Sequence, residues 1–86
     1  MGKYQKLLTT ILSGRSDANV GFDELCQLLK RLGFEERVRG SHHIFRKPGI
    51  TEKPNLQNTS GKAKPYQVKQ ARNVITKYRL GLEDDA

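Results

Sequence analysis

The chain's only two histidines are adjacent, in the run 40-GSHHIFRK-47. Imidazole has an ordinary pKa of about 6.5, so it gives or takes a proton around neutrality. The neighbouring Arg39, Arg46 and Lys47 are suited to holding phosphate and stabilising charge that develops on it. Together these are the groups that RNA cleavage needs: a proton carrier to activate a 2′-hydroxyl or protonate a departing 5′-oxygen, and cations for the phosphate. Proton transfer of this kind is worth about 10²–10⁴-fold in rate. On a strand, side chains alternate between faces. Ser41, His43 and Phe45 then point one way, and His42, Ile44 and Arg46 the other. With the larger Phe45 set against the core, His43 turns inward and is hydrogen-bonded at the core margin, while His42 faces out among cations. The assignments exchange if Ile44 is the core residue. Two neighbours on a regular strand do not readily share one ion, so no metal site is expected here.

A second basic cluster is Lys62, Lys64, Lys69 and Arg72, reaching toward Lys77. Lys69 and Arg72 are three apart and neighbours on one side of a helix. Lys62 and Lys64 precede that helix, where free backbone N–H groups favour phosphate. A loop-to-helix surface of this kind can grip double-helical RNA by its backbone. The lone cysteine, Cys26, rules out an internal disulfide and a cysteine-built zinc site. It is expected to be a small core residue with no histidine placed to activate it.

The elements that must position these groups follow from hydrophobic period. In 3-KYQKLLTTILSG-14, Tyr4, Leu7, Leu8, Ile11 and Leu12 recur at helical spacing and Gly14 is a stop. A polar link, 15-RSDANVG-21, leads to a second helix in 22-FDELCQLLKRLG-33, with Phe22, Leu25, Leu28, Leu29 and Leu32 as its stripe. The run 34-FEERVRGSHHIFRKPG-49 reads as two strands broken at Gly40-Ser41. A third extended piece lies around 51-TEKPNLQN-58, where Pro54 suggests an edge strand or a bulge. The stretch 59-TSGKAKP-65 is expected to be a loop. A last helix over 65–80 places Val68, Ala71, Val74, Ile75 and Tyr78 on one face, with Gly81 as its stop. The expected fold is therefore α+β: a small antiparallel three-stranded sheet with helices on one face, plus an extra N-terminal helix. Organisation is expected as helix and link over 1–21, the main domain over 22–80, and a frayed acidic tail over 81–86.

Bulk properties narrow the partner class. Residues 1–82 hold 16 basic against 6 acidic side chains, which favours a polyanion and nucleic acid first. No apolar segment is long enough to span a membrane, and the start lacks a signal peptide's apolar region, so a cytoplasmic location is expected.

The run 25-LCQLLKRLGF-34, the motif 40-GSHHIF-45, and 55-NLQN-58 followed by 61-GKAKPYQVKQ-70 resemble the HicA-type toxins of toxin–antitoxin modules. The similarity covers roughly residues 22–80. It implies a double-stranded-RNA-binding-domain-like α-β-β-β-α order and an mRNA interferase, a metal-independent endoribonuclease acting on messenger RNA without a cofactor. The family's functional histidine follows the Gly-Ser pair and so maps onto His42. Arg39, Ser41, Arg46, Lys47, Lys62, Lys64, Lys69 and Arg72 are the expected RNA-binding residues. The implied partner is a HicB-type antitoxin that covers the active site. A non-catalytic RNA-binding module of the same fold is the alternative.

Overall fold

The computed structural model describes residues 2–82 of the 86-residue chain. Helix α1 (Lys3–Ser13) buries Leu8 and Ile11, with Tyr4 and Leu7 partly covered. Leu12, expected on the same stripe, instead faces solvent, while Tyr4, Leu7, Leu8 and Ile11 pack against the core. Gly14 ends α1 in the left-handed conformation, and its N–H donates to Ile11 O. The link then forms a 3-10 turn at Asp17–Asn19 and buries Val20. Helix α2 (Phe22–Arg31) buries Phe22, Leu25, Cys26, Leu28 and Leu29. Asp23 and Glu24 in its first turn and Lys30 and Arg31 in its last complement the helix dipole. The Arg31 guanidinium lies 4.4 Å from the centroid of the Tyr4 ring and so pins α1 to α2.

Gly33 ends α2 with φ 102, while its N–H donates to Lys30 O and that of Phe34 to Leu29 O. This paired arrangement needs a left-handed residue after the helix. A Cβ at Gly33 would meet only the mobile end of the Lys47 side chain, so it is the positive φ that calls for glycine here. The chain then forms an antiparallel sheet of β1 (Glu35–Arg39), β2 (His42–Arg46) and β3 (Asn55–Leu56), with β2 in the centre. Gly40, at φ 59, takes the first position of the two-residue β1–β2 turn, and Ser41 takes the second. Glycine first is the pattern of the II′ hairpin turn, whose twist matches the strands it joins.

Pro54 sits at the edge, as expected. It has no N–H to give, yet its carbonyl accepts from Phe45 N–H at 2.8 Å, and regular pairing of β3 is confined to two residues. Glu52 anchors the preceding loop to the last helix through Lys77 Nζ (2.8 Å) and Tyr78 OH (2.6 Å). Those hydrogen bonds, the lysine's first, hold the Glu52 carboxyl down to about 2.

Residues 59–65 are not the loop that the sequence suggests. Strands β4 (Asn58–Thr59) and β5 (Lys62–Ala63) pair around Ser60 and Gly61, at φ 53 and φ 86. Phe22 N–H donates to Gly61 O, and Ala63 N–H to Val20 O, so this hairpin is fastened to the entrance of α2. The two strands pair locally, but the segment that holds them, Val20–Phe22, lies far upstream in the chain and out of reach of a local reading.

Helix α3 (Pro65–Lys77) buries Gln67, Val68, Ala71, Val74 and Ile75. Gln67 Oε1 accepts from Gln57 N–H at 2.9 Å, so two residues of the sequence motifs join β3's end to α3. The helix stops at Lys77 rather than running to Leu80 against Gly81. Arg79 takes the left-handed position at φ 52, with Leu80 N–H donating to Ile75 O. The backbone makes the same paired closure as at Gly33, on a residue that carries a Cβ. Left-handed geometry costs such a residue about 1–2 kcal/mol, partly offset in a glycine variant by greater unfolded-state entropy. Arg79→Gly is therefore expected to stabilise the protein by about 0.5–1 kcal/mol, read as a higher urea midpoint at unchanged slope.

Phe45 and Leu56 meet the buried side chains of all three helices in one core, which α1 shares. The helices lie against one another and against one face of the sheet, leaving the second face open. Residues 83–86 of the expected acidic tail lie outside the described residues; Leu82 just before them packs partly against the core. Among the described residues no helix is long and apolar enough to cross a membrane.

Candidate active site and nucleic-acid interface

The register of β1 and β2 pairs Glu36 with Phe45, Val38 with His43, Arg37 with Ile44 and Arg39 with His42. Directly paired side chains share a face. Phe45, fully buried, thus carries Glu36 and His43 to the helix side, and the open side receives Glu35, Arg37, Arg39, His42, Ile44 and Arg46. Phe45 rather than Ile44 is the core residue, and of the alternatives the sequence left open this is the one realised.

His42 is exposed at the first position of β2, where the tight Gly40-Ser41 turn delivers it. Arg39 lies directly across on β1, a relation that brings Cβ atoms to about 5 Å. Asn55 enters the open face from β3, paired with Ile44. Its Oδ1 lies 3.2 Å from His42 Nδ1. With the amide oxygen accepting, Nδ1 carries the hydrogen and the Nε2 lone pair is left for chemistry. Arg37, Arg39, Ile44, Arg46 and Lys53 line one concave stretch of this face together with Glu35; Glu36 also borders it although its carboxylate is turned to His43 and Lys30. Arg46 Nε approaches Glu35 Oε1 only at 3.6 Å, and both side chains are largely exposed. So loose a surface pair leaves the guanidinium free to exchange its partner for a phosphate.

His43 does different work. Its Nδ1 is 2.7 Å from Glu36 Oε2, and its ring meets Phe22 edge to face at 4.8 Å between centroids. Glu36 also receives Lys30 Nζ at 2.8 Å; that hydrogen bond, then the one from His43, hold its carboxyl below the ordinary value. Burial, then the Glu36 and Asp23 carboxylates, push the Cys26 thiol up to about 12, which removes it as a nucleophile. It is not, however, remote from histidine: Cys26, Glu36 and His43 each bring a ligand atom within 4.8 Å of the others.

The remaining basic residues divide. Lys47 Nζ reaches Gly33 on the helix side, near Arg31 and Arg79, and the residue also borders a second groove with Glu35, Arg46 and Lys53. Lys62 on β5 and Lys69 on α3 are exposed, and Lys64 caps the start of α3. Lys62 Nζ reaches Asn19 Oδ1 at 3.4 Å. These three lie on the hairpin and the first turns of α3, outside the concave stretch of the open face. Arg72 does not join them: its Nη1 donates to Asp17 Oδ1 at 2.8 Å and to Ile11 O at 3.2 Å, with the side chain 19% exposed. It clamps α3 to the end of α1. Ser41 is exposed in the β1–β2 turn beside His42.

Asn55, Arg37 and Lys53 are the residues of the open face that sequence reasoning missed. Arg37 was within reach, since it lies two residues before Arg39 on the same strand. Asn55 was not, because its place beside His42 depends on the β2–β3 pairing. Residues 22–75 match the family model described as the HicA toxin of bacterial toxin–antitoxin systems. No curated protein and no solved structure matches the chain.

Proposed function

This chain belongs to the HicA toxin family of bacterial toxin–antitoxin systems, and from that premise we propose that it is a metal-independent endoribonuclease that cuts messenger RNA with His42 as its proton carrier. As a toxin of such a module it has an antitoxin partner. The observation that carries the nuclease reading is an exposed imidazole held by Asn55 on an open face lined with Arg37, Arg39, Arg46 and Lys53.

Phosphate seated against these cations would bring the adjacent ribose to the free Nε2 of His42. As base, Nε2 takes the 2′-hydroxyl proton; the alkoxide attacks phosphorus, and the 5′-oxygen leaves with a proton supplied at that site or by water. The product ends are a 2′,3′-cyclic phosphate and a 5′-hydroxyl. The arginines favour the extra negative charge of the transition state more than that of the ground state, the requirement for raising rate. The basic surface of Lys62, Lys64 and Lys69 holds the backbone of a longer RNA without reading its sequence. A HicB-type antitoxin is the fitting partner, and an acidic surface laid over the His42 face would block the phosphate site directly.

The test uses one RNA in two forms, all-ribose and with a single 2′-deoxy substitution at the cleaved position, each incubated in EDTA. Cutting of the ribose form alone, with cyclic phosphate ends, is expected. Equal cutting of both would rule out the 2′-hydroxyl as nucleophile. Salt-sensitive binding with no new ends would identify a non-catalytic RNA-binding module.

A further inference from the structure

We propose that Cys26, Glu36 and His43 form a binding site for one thiophilic divalent cation of the zinc type, beneath the sheet and on the side away from His42. The three residues come from α2, β1 and β2, and their ligand atoms already lie within 4.8 Å of one another. Thiolate, imidazole and carboxylate are the donor types of zinc, and a thiolate disfavours magnesium and calcium. Three protein ligands leave the fourth tetrahedral position to water.

The surroundings suit an ion. Lys30 occupies Glu36 Oε1 at 2.8 Å, so only Oε2 is left to turn inward, and this is the oxygen that now faces His43 Nδ1. Coordination replaces that single hydrogen bond with two metal bonds. The Nδ1 hydrogen moves to Nε2 as the other neutral tautomer, and the Cys26 proton leaves to solvent. One thiolate and one carboxylate then balance the dication. Phe22, edge-on to the His43 ring, limits its rotation, and Cys26 is buried in the core. Glu36 and His43 keep side-chain exposures of 16% and 25%, so the ion has an entry path from the sheet margin.

Bound metal would tie α2 to β1 and β2 without touching the open face. The proposal therefore stands apart from the nuclease reading, and neither fails with the other. The three ligands are ten and seven residues apart in the chain, outside the short spacings by which metal motifs are usually read.

The test is titration of the reduced, metal-free full chain with cobalt(II), followed by displacement with zinc. One equivalent is expected to give the near-ultraviolet thiolate-to-cobalt band together with visible bands of tetrahedral intensity. Cys26→Ser should lose the near-ultraviolet band, His43→Gln and Glu36→Gln should weaken binding by more than the roughly 10–100-fold that losing an outer-shell partner costs, and His42→Gln should bind as wild type. Circular dichroism and metal-free melting of each variant show whether it folds, and three independent ligand variants guard against the failure of one. A wild-type chain without the thiolate band overturns the site. So does binding undiminished in His43→Gln, or lost in His42→Gln, which would mark adventitious capture by the exposed imidazole.

Discussion

His42→Ala is expected to lose cleavage by about 10²–10⁴-fold, the ordinary worth of a positioned proton carrier, while binding RNA with wild-type affinity within a factor of a few. The two readouts separate because the imidazole is one exposed, uncharged-capable group among many cations. Arg39 stays directly across from it, Arg37, Arg46 and Lys53 stay further along the same face, and Lys62, Lys64 and Lys69 lie outside its concave stretch. Removing one side chain at the first position of β2 leaves the core untouched, so the melting temperature should hold. The measurement is single-turnover cleavage in EDTA on a denaturing gel beside filter binding at two salt concentrations. Unchanged cleavage would move the chemistry away from His42. Loss of binding in step with cleavage would make His42 an RNA contact rather than a proton carrier. His43→Ala supplies the contrast: it removes the partner of Glu36 and the edge contact to Phe22, so it should lower stability before it lowers the rate per folded molecule.

Phe45→Ala is expected to destabilise the protein by about 3–5 kcal/mol, the usual cost of emptying a buried aromatic site. Phe45 is fully buried on the central strand, in one cluster with Leu25, Leu28, Leu56, Val68 and Ile75. A total stability of about 5–15 kcal/mol is the common range, and a chain of this size stands toward its lower end. The variant should therefore be largely unfolded at physiological temperature, seen as a collapsed urea midpoint and lost amide protection in β2. Ile44→Ala, one residue earlier on the open face and half-exposed, should cost about 1 kcal/mol or less by comparison. Equal penalties for the two would contradict the orientation of β2, and with it the outward placement of His42.

The same alternation explains how much of the site was legible in the sequence. Phe45 is a bulky apolar residue two positions from His43 and three from His42, so a period of two was enough to send His42 outward and His43 inward once Phe45 was taken as core. The helical stripes of α2 and α3 were legible for a like reason: Leu25, Leu28, Leu29, Val68, Ala71 and Ile75 recur at the helical period, and burial follows period. The charge excess was also local information, because cations do not need partners to be counted.

Relations between residues distant in sequence came from packing. The short hairpin at 58–63 reads as a loop in isolation, and its fastening to Val20 and Phe22 appears only in the folded chain. Arg72 counts as a free cation until Asp17, fifty-five residues away, is found 2.8 Å from it. Asn55 has no visible tie to His42 until β3 fixes its register, and Cys26, Glu36 and His43 converge only when α2 is laid across β1 and β2. Preferences for helix, strand or water were already present in the order of residues, since they belong to single side chains and short periods. Which polar groups meet was left to packing, since loop closure and strand register bring together side chains that no local period connects.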